Sequence, residues 1–243
     1  MEVPHEACRP SRAWDGGRPV TPRRRQAERS RSTRQALIAA ARALFTARGY
    51  ANVSAEEIVA AAGLTRGALG HHFGDKRGLF LAVFEQVEQE VTERILNGVG
   101  EVTDAWSGLA RGFTCFLDAC EDQAVVQIAL IDAPAVLGWA DWRAIEAEHG
   151  LGLIRAGLEQ AMSEGLLARQ PVDVLARLLL SAATEAALLI AQAGGRTADR
   201  TVMRAVAERA LLDLLTGLRT SRDHLAEAPT DRAVTADPCG DVV

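Results

Sequence analysis

Between Ser54 and Lys76 the chain brings together a run of groups suited to recognition: Thr65, Arg66, Gly67, Ala68, Gly70, His71, His72 and Lys76. One guanidinium, one ammonium, a hydroxyl and two imidazoles suit contact with nucleic acid. A guanidinium offers two parallel N–H groups to guanine O6 and N7, and Arg66 is the sole Arg of its stretch. It is therefore the residue expected to read bases, with a phosphate contact as the competing role. Lys76 opens a helix, where unpaired backbone N–H groups suit a phosphate. Adjacent His71 and His72 point in different directions on a helix and have no third ligand nearby, so no metal is expected. Phe73 is expected in the core.

The elements that must hold these groups follow from capping chemistry. Ser54 and Glu57 form a Ser-x-x-Glu capping box for a helix beginning at Ala55, and Gly63 supplies the positive φ that ends it. Thr65 caps a second helix through His72. Capped helix, short turn and capped helix over about 54–73 is a helix-turn-helix pattern. Leu37, Ile38, Ala41, Leu44 and Phe45 recur with helical period over 32–48. Helices at 32–48, 55–62 and 66–72 would share a core of Ile38, Leu44, Phe45, Ile58, Leu64, Leu69 and Phe73. A unit of about 45 residues folds alone only marginally. Its buttress is expected to be a helix from Lys76 to about Asn97, capped by Asp75, whose apolar face is Leu79, Phe80, Val83, Val87, Val91 and Ile95.

These residues, read together, resemble the TetR family of bacterial regulators. The likeness is carried by Leu37-Ile38-Ala39-Ala40-Ala41, Leu44-Phe45, Arg48-Gly49-Tyr50, Ile58, Ala61-Ala62-Gly63-Leu64, Gly67-Ala68-Leu69 and His71-His72-Phe73. Gly74-Asp75-Lys76 and Leu79-Phe80 extend it, so that it covers about 31–91. The resemblance implies a homodimer on a palindromic double-stranded DNA operator, each third helix entering a major groove. Thr65, Arg66, Gly67, Ala68 and His71 would then face bases or nearby phosphates, with Thr65 and His72 anchoring the backbone and Lys76 meeting a phosphate. Ser54 and Gly70 complete the DNA-facing set. Gly70 departs from the family, which often has Tyr there, and costs up to ~1 kcal/mol of helix propensity.

Across 243 residues the net charge is −5, yet residues 1–80 carry 14 Lys+Arg against 7 Asp+Glu while 81–243 carry 13 against 25. A basic front on an acidic body suits a protein that offers one end to phosphates. Residues 1–30 read as a disordered Arg-rich arm, with Arg23-Arg24-Arg25 tracking phosphates, merely solvated, or upstream of the true start; 220–243 read as a frayed tail. Four cysteines without metal-ligand spacing fit a reducing cytoplasm, and Cys115 and Cys120 read as apolar filler. No apolar run approaches the length of a membrane span, and no membrane partner is expected.

The fold class is all-α, with a three-helix DNA-binding domain over 31–91 and a larger helical body over 92–219. Helices are expected at Thr103–Ala119, Ala124–Ile131, Trp139–Ser163, from Pro171 at the first helical position to Ala193, and at Ala198–Arg219. The body lacks a nucleophile–base pattern, a Gly-rich phosphate loop and clustered metal ligands, so neither an enzyme nor a cofactor is expected. Trp106, Phe113, Phe116, Gln127, Trp139, Trp142 and Glu185 form a mixture of large apolar and few polar groups suited to a small, mainly apolar molecule. Glu185 interrupts an apolar run, where it would meet a basic ligand, pair across a dimer or face solvent. The resemblance implies an effector pocket here, and a dimer interface for which Leu175, Leu179, Ala183, Leu211, Leu214 and Leu215 are candidates. The function expected is a homodimeric repressor released by its effector; the competing reading is an all-helical ligand-binding or catalytic protein with a vestigial helix-turn-helix.

Overall fold

The computed structural model describes residues 22–193 and 197–219, which are helical apart from turns and one isolated bridge between Leu167 and Arg219. The first helix, α1, spans Pro22–Arg48, starting at Pro22 and not near residue 32 as the apolar period suggested. Proline suits a first helical position, and the Arg, Gln, Ala and Glu that follow are good helix formers. Residues 26–31 are exposed, so propensity and not burial extends the helix, and periodicity carries no trace of it. The part of the expected arm from residue 22 onward is thus helical; residues 1–21 and the tail 220–243 lie outside the described residues.

Three side-chain caps set the next helices. Ser54 Oγ accepts from the Glu57 N–H at 3.1 Å, and the Glu57 carboxylate accepts from the Ser54 N–H at 2.7 Å, starting α2 (Ala55–Ala61). At its other end Gly63 has φ +65°, its N–H donates to Ala60 O at 3.1 Å and that of Leu64 to Val59 O at 2.8 Å. This pair of bonds is a Schellman closure. Thr65 caps α3 (Arg66–Phe73) by accepting from the Ala68 N–H, and Asp75 caps α4 (Lys76–Val99) by accepting from the Gly78 N–H. Ile38, Phe45, Ile58 and Leu69 are buried as expected, while Leu44, Leu64 and Phe73 are half-buried around them. Phe45, Tyr50 and Phe80 pack as a ring cluster with centroids 5.1–5.5 Å apart, joining α1 to α4.

Beyond Gly100 the body is built from α5 (Ala105–Ala119), a π-helical stretch Val125–Asp132 running into α6 (Ala133–Leu137), and α7 (Trp139–Glu146). A π turn at Ala147–Leu151 joins α7 to α8 (Gly152–Ser163), followed by α9 (Val172–Gln192) and α10 (Thr197–Gly217). The long helix expected over 139–163 is therefore continuous but widened in its middle. Pro171 is the N-cap of α9, one place before the expected position. Contrary to the sequence reading, α9 is long and apolar enough to span a bilayer, with a mean hydropathy of 1.8 in its 18-residue window. Its Leu175, Ala176, Leu179, Ala183 and Ala187 are instead buried within the body, as α9 packs on α8 and α10.

Candidate nucleic-acid interface

Leu69 is buried in the core on which α3 packs against α1, α2 and α4, which leaves the opposite face of the short helix free. Thr65, Arg66, Gly67, Gly70 and His71 are exposed there, while Ala68 and His72 are half-buried at the edge. The structure thus brings most of the expected DNA-facing residues onto one surface. Arg66 Nη1 donates to Glu56 of α2 at 2.6 Å, in a pair whose side chains remain 59% and 73% exposed. Such a pair is worth roughly 0–1 kcal/mol in water, so exchanging the carboxylate for a phosphate or a base edge costs little. Ser54 is exposed, but its hydroxyl is occupied with Glu57. Arg48 holds the same Glu57 at 2.7 Å, and together these bonds drive the Glu57 carboxyl down to about 2.

Lys76 is placed differently from the expectation. Its Nζ donates to Tyr50 O at 3.0 Å and Val53 O at 2.8 Å, and lies 3.8 Å from the centre of the Tyr50 ring. The ammonium therefore clamps the turn between α1 and α2, which an unpaired phosphate ligand would not do. Gly78, missed by the sequence reading, is required beside it. A Cβ on Gly78 would lie 2.1 Å from the Phe73 carbonyl oxygen, so the C-terminus of α3 rests directly on the first turn of α4. Nothing local in the sequence marks this approach.

Two contacts tie this unit to the body. The Asp132 carboxylate at the end of the π stretch accepts from the Tyr50 N–H at 2.7 Å and from Gln127 Nε2 at 3.1 Å. Arg77 donates to the carbonyls of Val136 and Leu137 at 3.3 Å each and lies 3.5 Å from Asp141. Farther along, α4 forms one wall of a cavity of about 450 Å³, closed by α5, α8 and α9. Phe113 and Phe116 line it as expected. The other five ligand candidates do not. Trp106 is buried under the Arg219 guanidinium, Trp142 is fully buried, Trp139 is 64% exposed and Gln127 holds Asp132. Glu185 is exposed on the outer face of α9, since it lies out of register with that helix's buried residues.

The cavity's acids are instead Glu88 and Glu146. Glu88 follows Phe84 by four residues and precedes Val91 by three, so a charge inside an apolar stripe was the available signal. Glu146 accepts from Arg143 Nη1 at 2.6 Å and from the Thr184 hydroxyl. Leu175, Leu179, Ala183, Leu211 and Leu215, expected at a dimer interface, are buried within the chain. Leu214 is 62% exposed and shares the outer surface of the last two helices with Val174, Leu178, Leu189, Val202 and Val206. The reason is one of phase: which stripe of a largely apolar helix turns outward depends on its neighbours.

Known proteins match both parts of the chain. Residues 37–83 match the family model described as bacterial regulatory proteins, tetR family, and residues 106–218 match the tetracyclin repressor-like C-terminal domain. The Transposon Tn10 TetC protein of Escherichia coli is 32% identical over 154 residues, covering 63% of this chain and 78% of the relative. The HTH-type transcriptional regulator CymR of Pseudomonas putida is 45% identical over 76 residues, or 31% of this chain and 37% of its own length. A crystal structure of a TetR-family transcriptional regulator from Pectobacterium atrosepticum superposes with a TM-score of 0.68 at 35% identity, covering 80% of this chain and 97% of the other.

Proposed function

The chain belongs to the TetR family of bacterial transcription regulators, and from that premise we propose that it is a homodimeric repressor released from a palindromic operator by a small, mainly apolar effector. One observation carries the reading. Helix α4 packs on the DNA-facing α3, with Gly78 against the Phe73 carbonyl, and the same helix forms a wall of the cavity with Glu88, Val91 and Ile95. A ligand that prefers one placement of α4 thereby biases where α3 sits, in proportion to its differential affinity for the two placements. The exposed Val174, Leu178 and Leu189 of α9, with Val202, Val206 and Leu214 of α10, supply an apolar surface for a second copy. A dimer sets two recognition helices against successive major grooves about 34 Å apart.

In this reading Arg66 leaves Glu56 to contact a base edge, and Thr65, Gly67 and His71 contact bases or phosphates beside it. Ala68, Gly70 and His72 shape the edges of that surface. Lys76 acts indirectly, by holding the turn that leads into α2. The test is a mobility-shift assay on the DNA flanking the chain's own gene. Arg66→Ala is expected to lose about 1–3 kcal/mol at the preferred site and much less elsewhere. Equal weakening on all sequences would make Arg66 a phosphate contact, and absence of salt-sensitive, competitor-resistant binding by the unaltered protein would rule out the regulator.

A further inference from the structure

We propose that the cavity between α4, α5, α8 and α9 selects a lipophilic monocation, an apolar amine with at least one N–H, whose ammonium pairs with Glu88; this rests on the cavity being the effector site. Among the described residues the charged side chains lining it are Glu88 and Glu146, with no Lys, Arg or His in the wall. Glu146 is already satisfied by Arg143 and Thr184, and Arg143 in turn is held by Glu146 and by Ser181 at 2.7 Å. Glu88 lines the cavity, is half-buried, and makes no side-chain hydrogen bond or ion pair among the described residues. Around it the wall is apolar, with Val91, Leu109, Phe113 and Ile154.

An unpaired carboxylate in such surroundings carries a desolvation cost. Burial, with Glu146 nearby, raises the Glu88 carboxyl to about 8, so at neutral pH it is mostly the acid unless a cation lies against it. Beyond Glu146, the groups acting on this region are the Cys120 thiol, itself raised by burial, and Arg204 of α10, which is engaged by Asp118 and Glu208. An ammonium brought against Glu88 favours the ionised form. The carboxyl then releases its proton to solvent, and an ammonium–carboxylate pair replaces an isolated acid. An anionic ligand finds no free cation among the described residues of the wall, and a neutral one gains only apolar burial.

Calorimetric titration of the full chain with 4-phenylbenzylamine, 4-phenylbenzyl alcohol and 4-phenylbenzoate tests this. The amine should bind most tightly at pH 7 and release close to one proton, seen when the heat changes with the buffer's ionisation enthalpy. Glu88→Gln should weaken the amine roughly 10–100-fold, abolish proton release and leave the alcohol unchanged. Equal binding of the alcohol or the benzoate, no proton release, or undiminished amine binding by Glu88→Gln would each overturn the proposal. The proton release of the unaltered protein decides the matter even if the variant fails to fold. If the amine binds through Glu88 but leaves the protein on its DNA, the effector reading falls while the cation preference stands.

Discussion

Glu57 beside the helix-turn-helix and Glu88 at the cavity wall on α4 are driven in opposite directions, the first down to about 2 and the second up to about 8. Glu57 lies at the surface and accepts from the Ser54 backbone, the Ser54 hydroxyl and Arg48, all of which favour its charge. Glu88 has an apolar wall and a second acid for company. The same side chain is a fastener in one region and a selector in the other. Two Arg–Glu pairs repeat the contrast: Arg66–Glu56 stands in water, ready to be exchanged, whereas Arg143–Glu146 is largely withdrawn under Trp139 and Trp142.

Removing the acid from each pair gives the sharpest test. Glu146→Ala should cost about 3 kcal/mol in chemical denaturation, because Arg143 and Thr184 lose their shared partner inside the body. A cost below about 1 kcal/mol would erase the distinction. Gly78→Ala should cost about 1–3 kcal/mol through overpacking against the Phe73 carbonyl, and should weaken DNA binding more than any change of equal stability cost in the body.

The pH dependence should split by region. Because Glu57 titrates lower in the folded chain, its stabilisation is present above the ordinary carboxyl range and is lost as pH falls toward 2. Glu88 titrates higher when folded, so its contribution is full below about 4.5 and is lost as pH rises through 8. Thermal melts of Glu57→Gln should lack the first limb, and those of Glu88→Gln the second; a limb that survives its own substitution refutes that assignment. The smallest effect on stability is expected for Glu56→Ala, within about 0.5 kcal/mol. Its DNA affinity should nevertheless rise as Arg66 is freed, and unchanged affinity would show that the pair does not compete with DNA.

How far each region is legible follows from the range of its interactions. The capping box, the Gly63 closure and the Thr65 and Asp75 caps are bonds between residues a few places apart, and the chain displays them in order. The buried stripe of α4 is legible for the same reason, and Glu88 stands inside it as an unread interruption. That Trp139, Trp142 and Glu185 lie away from the cavity is not legible, because side-chain size and local hydropathy do not say which face of a helix turns toward it. The clamp made by Lys76 is not legible locally because its carbonyl partners, Tyr50 and Val53, come from a turn on the far side of α2 and α3.

Residue types and near-neighbour hydrogen bonds alone determined the all-helical class and the helix-turn-helix with its boundaries. Tertiary packing decided that Lys76 clamps a turn, that Asp132 reaches the Tyr50 N–H, and that Glu88 rather than Glu185 faces the cavity. Caps and turns are satisfied within a few residues. The orientation of an apolar helix, and the solvation of a charge upon it, are set only by what the rest of the chain brings alongside.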